Sequence, residues 1–261
     1  MGDRGQTARE ESPWHVALNQ DLAHAGSVRP CAHRALQRWM PLRPRPLPLA
    51  LLATTLLSAA VLSGCARDSW TEPHPAPSAI GSLGQGFLPS STPTPEATIH
   101  PVKGSWEDVR PSTGYRVVLL TAGADAPTRM LVSAIREWAD EYGVDLRTVV
   151  ADEHLVDGIA GAIDLGPDLI VSAGNDLIDP LATVTASHLD QQFLIVGAEV
   201  PEPTHNVTAV DWTGASFRGE GLGAASSYDP GSFTRERCSA AVRAGVAAVL
   251  HDLTGIVIWI D

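Results

Sequence analysis

YRVVLLTAGADAPTRMLVSAIREWADEYGVDLRTVVA, residues 115–151, decides the fold. It opens on an apolar, β-branched run over 115–121 that reads as a buried strand. A small-residue turn follows, Ala122-Gly123-Ala124-Asp125. Residues 126–142 then carry Met130, Leu131, Ala134, Ile135 and Trp138 at helical spacing, and Gly143 stops the helix. Residues 144–151 read as a second strand. The alternation continues with a helix over 153–165 that ends at Gly166-Pro167, a strand over 168–172 and a helix over 176–189. Strands over 192–197 and 206–212 come next. Residues 215–227 are rich in small side chains and predict a helix. A longer helix is expected over 233–252, with Ser232 as its N-cap and Gly255 at its end, and a last strand over 256–260. Continuous apolar strands alternating with helices mean a parallel sheet covered on both faces. The expected fold class over 113–261 is therefore α/β. It is a single three-layer flavodoxin-like or Rossmann-like lobe with a mostly parallel sheet of five to six strands.

Upstream of the lobe the chain changes character. The run LPLALLATTLLSAAVL, residues 47–62, follows Arg43 and Arg45 and precedes Leu62-Ser63-Gly64-Cys65. Its 16 residues fall short of the ~20 that span a bilayer as a helix. A basic flank, a short apolar core and small residues before a cut site make a secretory signal. The ending Leu-Ser-Gly-Cys resembles a bacterial lipoprotein signal. That resemblance implies a diacylated Cys65 and cleavage just before it, leaving the protein lipid-anchored on the outer face of the cytoplasmic membrane. Met40 opens a well-proportioned signal over 40–64, so residues 1–39 read as a non-native extension ahead of the true start. Residues 65–112 hold eight prolines (73, 75, 77, 89, 93, 95, 101 and 111) among Ser, Thr and Gly. They are expected to form the lipidated Cys and a disordered or extended tether. Trp70, Phe87 and Trp106 are the residues expected to dock locally, Trp106 first.

Charge and cysteine content exclude several functions. The 261 residues carry a formal charge of −12, and from Cys65 onward 11 basic residues face 26 acidic ones, a net −15. No basic field exists to displace counterions from phosphate, so nucleic acid is not an expected partner. Cys31 lies in the extension, Cys65 carries lipid, and Cys238 reads as a small buried hydrophobe in a helix.

In an open parallel sheet, ligands bind beyond the carboxyl ends of the strands, where strand order reverses. The turns meeting that description are Gly123 to Asp125 after strand one, Gly174-Asn175-Asp176 after strand three, Ala198-Glu199 after strand four and Asp211-Trp212 after strand five. The candidate ligand-binding residues are Gly123, Asp125, Gly174, Asn175, Asp176, Asp211 and Trp212. Glycine turns and helix N-termini supply backbone donors there. The aspartates supply acceptors, and Trp212 a stacking face. The competing role for Asp125 and Asp176 is to cap helices, and for Trp212 to cover the sheet.

Enzyme signatures fail in turn. GASFR, residues 214–218, lacks the last glycine of a nucleophile elbow. GLGAAS, residues 221–226, misses a dinucleotide fingerprint at its final position, and no strand directly precedes it. Asp152 ends strand two where a ribose-binding acid sits in nucleotide folds, but the glycine fingerprint is missing. Lys103 is the sole lysine, so no phosphate-loop lysine exists. His154, His188, His205 and His251 show no paired metal spacing. Asn206-Val207-Thr208 matches a glycosylation acceptor only formally. No enzymatic activity, cofactor or metal is expected.

Two stretches together carry a resemblance: DLIVSAGNDLIDPLATVTASHLDQQFLIVGAE (168–199) and NVTAVDWTGASFRGEGLGAA (206–225). They resemble the basic membrane protein family of substrate-binding lipoproteins, related to purine nucleoside receptors of ABC importers, and Gly123-Ala124-Asp125 after strand one suits that pattern. The likeness runs over roughly 115–225. Two departures weigh on binding. The family clamps its ligand between two lobes, and this chain carries one. The aromatic-Asn pair usual after the first turn is replaced by Ala126-Pro127-Thr128-Arg129. The resemblance implies a type I periplasmic-binding-protein-like lobe for a nucleoside-like or other small polar solute. Its partners would be an ABC permease or a second copy that completes the cleft. The alternative is a tethered interaction or sensory module that kept the lobe and lost the ligand.

Overall fold

The structure is a computed structural model that describes Trp70 and residues 72–200, 203–215 and 228–261. The extension 1–39, the signal 40–64, Cys65 and most of the small-residue segment 215–227 lie outside the described residues.

Among the described residues, nine strands and four α-helices follow one another in the order β1 (Ala79–Ile80), β2 (Thr98–Ile99), β3 (Arg110–Pro111), β4 (Arg116–Thr121), α1 (Ala126–Tyr142), β5 (Asp145–Val150), α2 (Leu155–Asp164), β6 (Leu169–Ala173), α3 (Ile178–Thr185), β7 (Phe193–Val196), β8 (Val207–Asp211), α4 (Arg235–Leu250) and β9 (Val257–Trp259). Seven strands form one sheet in the order β5-β4-β6-β7-β8-β9-β2, with every neighbouring pair parallel. β1 and β3 pair separately and antiparallel. The chain is thus a doubly wound α/β lobe whose order reverses between β4 and β6.

The strand residues explain the layers. In β4, β6, β7 and β8 every residue is buried. Only side chains packed on both faces give such runs. Alternation sends Val117, Leu119, Val171, Leu194 and Val210 to the face covered by α1 and α4. Val118, Leu120, Ile170, Ile195 and Ala209 go to the face covered by α2 and α3. No residue of β5 is buried, as suits an edge strand. α4 lies close on its face: a Cβ added to Gly245 would fall 2.5 Å from Leu194 Cδ1 and 2.8 Å from Val210 Cγ2.

The residues following Trp70 differ from the expected tether. β2 extends the sheet beyond β9, so the sheet has seven strands rather than five to six. Phe87, Ile99 and Trp106 are buried in the α1–α4 core, with Phe87 edge-on to Trp106 at 6.5 Å. Trp70 joins the core of the other face. The prolines do not prevent this. The segment is carried by a few long-range contacts, such as Glu96 N–H to the Gly255 carbonyl at 2.8 Å and Val102 N–H to Gly86 at 2.9 Å, and needs no continuous element of its own. Domain packing therefore begins well before residue 113.

Two boundaries also shift. Thr234, not Ser232, caps α4, accepting from Arg237 N–H at 3.2 Å. Ser232 belongs to the short 3₁₀ turn before it and receives the Trp212 indole N–H at 3.0 Å. The helix expected over 176–189 is a 3₁₀ turn, Asn175–Leu177, running into the shorter α3. Asn206 is fully buried, its amide donating to the carbonyls of Thr185, His188 and Gln191 just past α3. That amide ties the end of α3 to the turns that follow it, where the Thr185 and His188 carbonyls also accept backbone N–H groups, and its burial excludes it as a glycan acceptor.

Candidate functional site

The β4–β6 reversal sets two turns side by side, 122–125 after β4 and 174–176 after β6. They touch directly, with Ala122 N–H donating to the Ala173 carbonyl at 3.3 Å. Gly174 has φ +125°, and a Cβ there would sit 2.3 Å from the Ala122 carbonyl oxygen. Only glycine tolerates both the angle and the approach. Gly174→Ala is therefore expected to cost about 1–3 kcal/mol from backbone strain alone, before any separation of the two turns. A urea titration measures it, and an unchanged midpoint would contradict the close approach.

Three carboxylates gather around the Gly123 turn. Gly123 N–H donates to Asp152 Oδ1, at the end of β5, at 2.8 Å. A Cβ built on Gly123 would lie 3.4 Å from Asp176 Oδ2 and 3.5 Å from Asp125 Oδ2. Asp125 also caps α1, accepting from Thr128 N–H at 3.0 Å and from the Thr128 hydroxyl at 2.7 Å. Partial burial pushes its carboxyl up, but these hydrogen bonds and the Arg129 charge outweigh that and leave it below the ordinary carboxylate range. A carboxyl depressed in the folded state stabilises above its unfolded pKa and loses that contribution as pH falls through the folded value. Asp125→Ala should cost ~1 kcal/mol near neutrality, and the gap between variant and parent should close below about pH 4. Melting curves across pH check this. A pH-independent gap would contradict the charged cap.

Asp176 takes no part in capping: the N-cap positions of the 3₁₀ turn and of α3 are Gly174 and Leu177, neither with a side-chain cap bond. Its carboxylate is exposed beside Gly123. Asn175 opens the same turn. The structure thus brings Gly123, Asp125, Gly174, Asn175 and Asp176 to one place and adds Asp152.

It does not bring Asp211 and Trp212 there. β8 is separated from β6 by β7, so its end lies about 10 Å along the sheet. Both residues are fully buried. Asp211 Oδ1 accepts from Trp212 N–H at 2.8 Å. The Trp212 ring packs edge-on against Phe233 at 5.0 Å and beside Gly197. Trp212 is a core residue, not a stacking face. Glu199 is buried as well.

An exposed aromatic ring within the electrostatic reach of Asp125 is instead Tyr228, edge-on to Phe233 at 6.0 Å. Burial, followed by the Asp125 charge, raises its phenol above the ordinary value. Sequence reasoning missed Tyr228, since only the fold brings it to a turn about 100 residues away.

Chemically the turn offers acceptors. Each carboxylate presents up to about four lone-pair sites, and only part of that capacity is used internally. Hydroxyl or ammonium donors fit, whereas a phosphate would meet three carboxylates against the single Arg129 guanidinium, which donates to the Ala124 carbonyl in the same turn. Among the described residues, no three His, Cys, Asp or Glu side chains are arranged to hold a metal. A separate cavity of about 550 Å³ lies at the carboxyl ends of β2 and β9, between α4 and the 101–107 segment. Its lining includes Lys103, Trp106, Glu236, Arg237, Arg243 and Asp261. That is the far side of the sheet from the reversal, and its charges are mixed.

No protein-family model and no curated protein matches the chain. Among solved structures, an ABC transporter system solute-binding protein from Aeropyrum pernix K1 matches 38% of this chain and 29% of its own, at 23% identity and a TM-score of 0.34. A provisionally assigned lipoprotein of Peptoclostridium difficile 630, itself a fragment, matches 52% of this chain and 98% of its own, at 18% identity and a TM-score of 0.38. A solute-binding protein of an ABC transporter system from Conexibacter woesei DSM 14684 matches 38% of this chain and 35% of its own, at 18% identity and a TM-score of 0.31. The match spans about a third of the two solute-binding proteins.

Proposed function

We propose that the chain is an extracytoplasmic lipoprotein, anchored through Cys65, whose lobe binds a small hydroxyl- or ammonium-bearing solute at the β4–β6 reversal. The observation that carries this is the gathering of Asp125, Asp152 and Asp176 around the Gly123 turn; the Asp125 charge also acts on the Tyr228 phenol. A nucleoside suits both features, its ribose hydroxyls meeting carboxylates and its base meeting a ring. The sequence resemblance to nucleoside-binding lipoproteins agrees with this. The reading assigns no catalysis and no cofactor. One lobe supplies one wall of a cleft, and good pockets bury ~70–90% of a ligand. A second wall would come from a second lobe, from another copy or from a partner such as a permease.

A second reading, a tethered interaction module without a ligand, draws support from the burial of Asp211 and Trp212 and from the commitment of Asp125 to its cap. A thermal-shift screen of protein starting at residue 66 separates the two. Nucleosides, sugars and amines are compared with nucleotides and inorganic phosphate. A neutral or cationic ligand at 100 times its Kd should stabilise by about 2.7 kcal/mol, roughly 5–10 °C for a lobe of this size. The shift should disappear in Asp152→Asn/Asp176→Asn. Shifts by phosphates alone would contradict the acceptor site, and no shift from any compound would favour the interaction module. Cys65→Ser should move the protein from membrane to soluble fractions.

A further inference from the structure

We propose that residues 70–74 are a short strap that holds the lobe with its amino-terminal sheet edge toward the lipid headgroups and the β4–β6 reversal away from them. The proposal rests on Cys65 being the lipid-bearing residue. Trp70 is almost completely buried, packed on the α2–α3 face of the sheet. Its carbonyl accepts from Arg116 Nη1 at 3.1 Å, and the Glu72 carbonyl accepts from Arg116 Nη2 at 2.9 Å. The Arg147 guanidinium lies 4.3 Å above the indole ring. His74 Nε2 bonds the Asp168 carboxylate at 2.8 and 2.9 Å, and Asp168 Oδ2 also accepts the Arg116 backbone N–H at 2.9 Å. Arg116 opens β4 and Asp168 immediately precedes β6. The strap is therefore fixed where those strands begin.

Chain reach turns this attachment into an orientation. Cys65 precedes Trp70 by five residues, so an extended chain spans at most ~18 Å between them. From Arg116 to Gly123 the strand and its turn run ~23 Å. The anchored end therefore starts from the amino half of the sheet, and the bilayer is expected on that side. Without the strap, the next fixed point is Ser78, whose carbonyl accepts from Ser112 N–H at 2.9 Å, and the freed arm from Cys65 would average roughly 20 Å and reach up to ~45 Å, enough for other orientations. A solute at the reversal is presented to the aqueous side. Transfer to a protein in the same membrane would require the strap to release.

The test uses the full chain, lipidated, in vesicles of phosphatidylcholine and phosphatidylglycerol with a nitroxide-headgroup quencher. A fluorophore is placed through Thr113→Cys, in the exposed turn before β4, or through Thr213→Cys, in the exposed turn after β8. Cys238 does not compete, being fully buried with its thiol pushed up to about 12. Quenching is expected to be severalfold stronger at 113 than at 213. Inserting about 20 Gly/Ser residues between Ser69 and Trp70 should equalise the two, since that linker alone averages about 25 Å, while leaving the melting temperature unchanged. Equal or reversed quenching, in protein that Cys65→Ser releases from the membrane, overturns the strap orientation and leaves the lipoprotein reading intact. Protein that never binds membrane, or that stays bound after Cys65→Ser, overturns both.

Discussion

Deleting residues 78–98 is expected to abolish cooperative folding at 37 °C or to leave only a low, broad transition. The deletion removes β1 and, with Thr98, half of β2, the strand that closes the β9 edge. It also removes Phe87, which is 1% exposed in the α1–α4 core. Loss of a buried Phe side chain alone costs about 3–5 kcal/mol, against a total stability of ~5–15 kcal/mol. Trp106 would lose its edge-on partner and Ile99 its approach to the sheet. Circular dichroism melts of parent and deletion decide the matter. An unchanged melting temperature would mean that the segment is the tether its composition suggests.

The second large effect is expected at Trp212. Trp212→Ala should destabilise the lobe by about 3–5 kcal/mol, the cost of emptying a fully buried aromatic site. It also strands the Ser232 hydroxyl that now receives the indole N–H. At roughly 2–4 °C per kcal/mol the melting temperature should fall by about 10 °C. Ligand affinity, measured where the variant is still folded, should change little. A stable variant that has lost ligand would restore Trp212 to the site.

These two positions show where the sequence is readable. The α1 helix matches its expected bounds, 126–142, because a strong 3.6-residue period is closed by Gly143 in the left-handed conformation. The buried strands β6, β7 and β8 are legible because continuous apolar runs have few alternatives. Residues 70–112 are not legible in the same way. Their proline content argues for disorder, and their order comes from isolated residues, Trp70, Phe87, Ile99 and Trp106, that meet partners distant in sequence. Neither the Arg116 contacts to Trp70 and Glu72 nor the His74–Asp168 pair, 94 residues apart, leaves a local signal.

The site divides along similar lines. Gly123, Asp125, Gly174, Asn175 and Asp176 are legible from chain position, since strand ends in a parallel sheet share one edge. Trp212 misleads because the side chain's direction depends on strand parity. Two residues beyond Val210, it continues the α1–α4 face and drops into that core, where Gly197 leaves room for the ring. Asp152, at the end of strand two, shares that edge for the same reason, whereas Tyr228 depends on tertiary placement alone.

The most direct measurement is a ¹⁵N chemical-shift map of protein starting at residue 66, titrated with a compound selected by the thermal screen. The account predicts the largest perturbations at the amides of 122–125 and 174–177, with Asp152 and Tyr228 following. Perturbations confined to Lys103–Glu107 and Glu236–Arg243, around the 550 Å³ cavity, would contradict it.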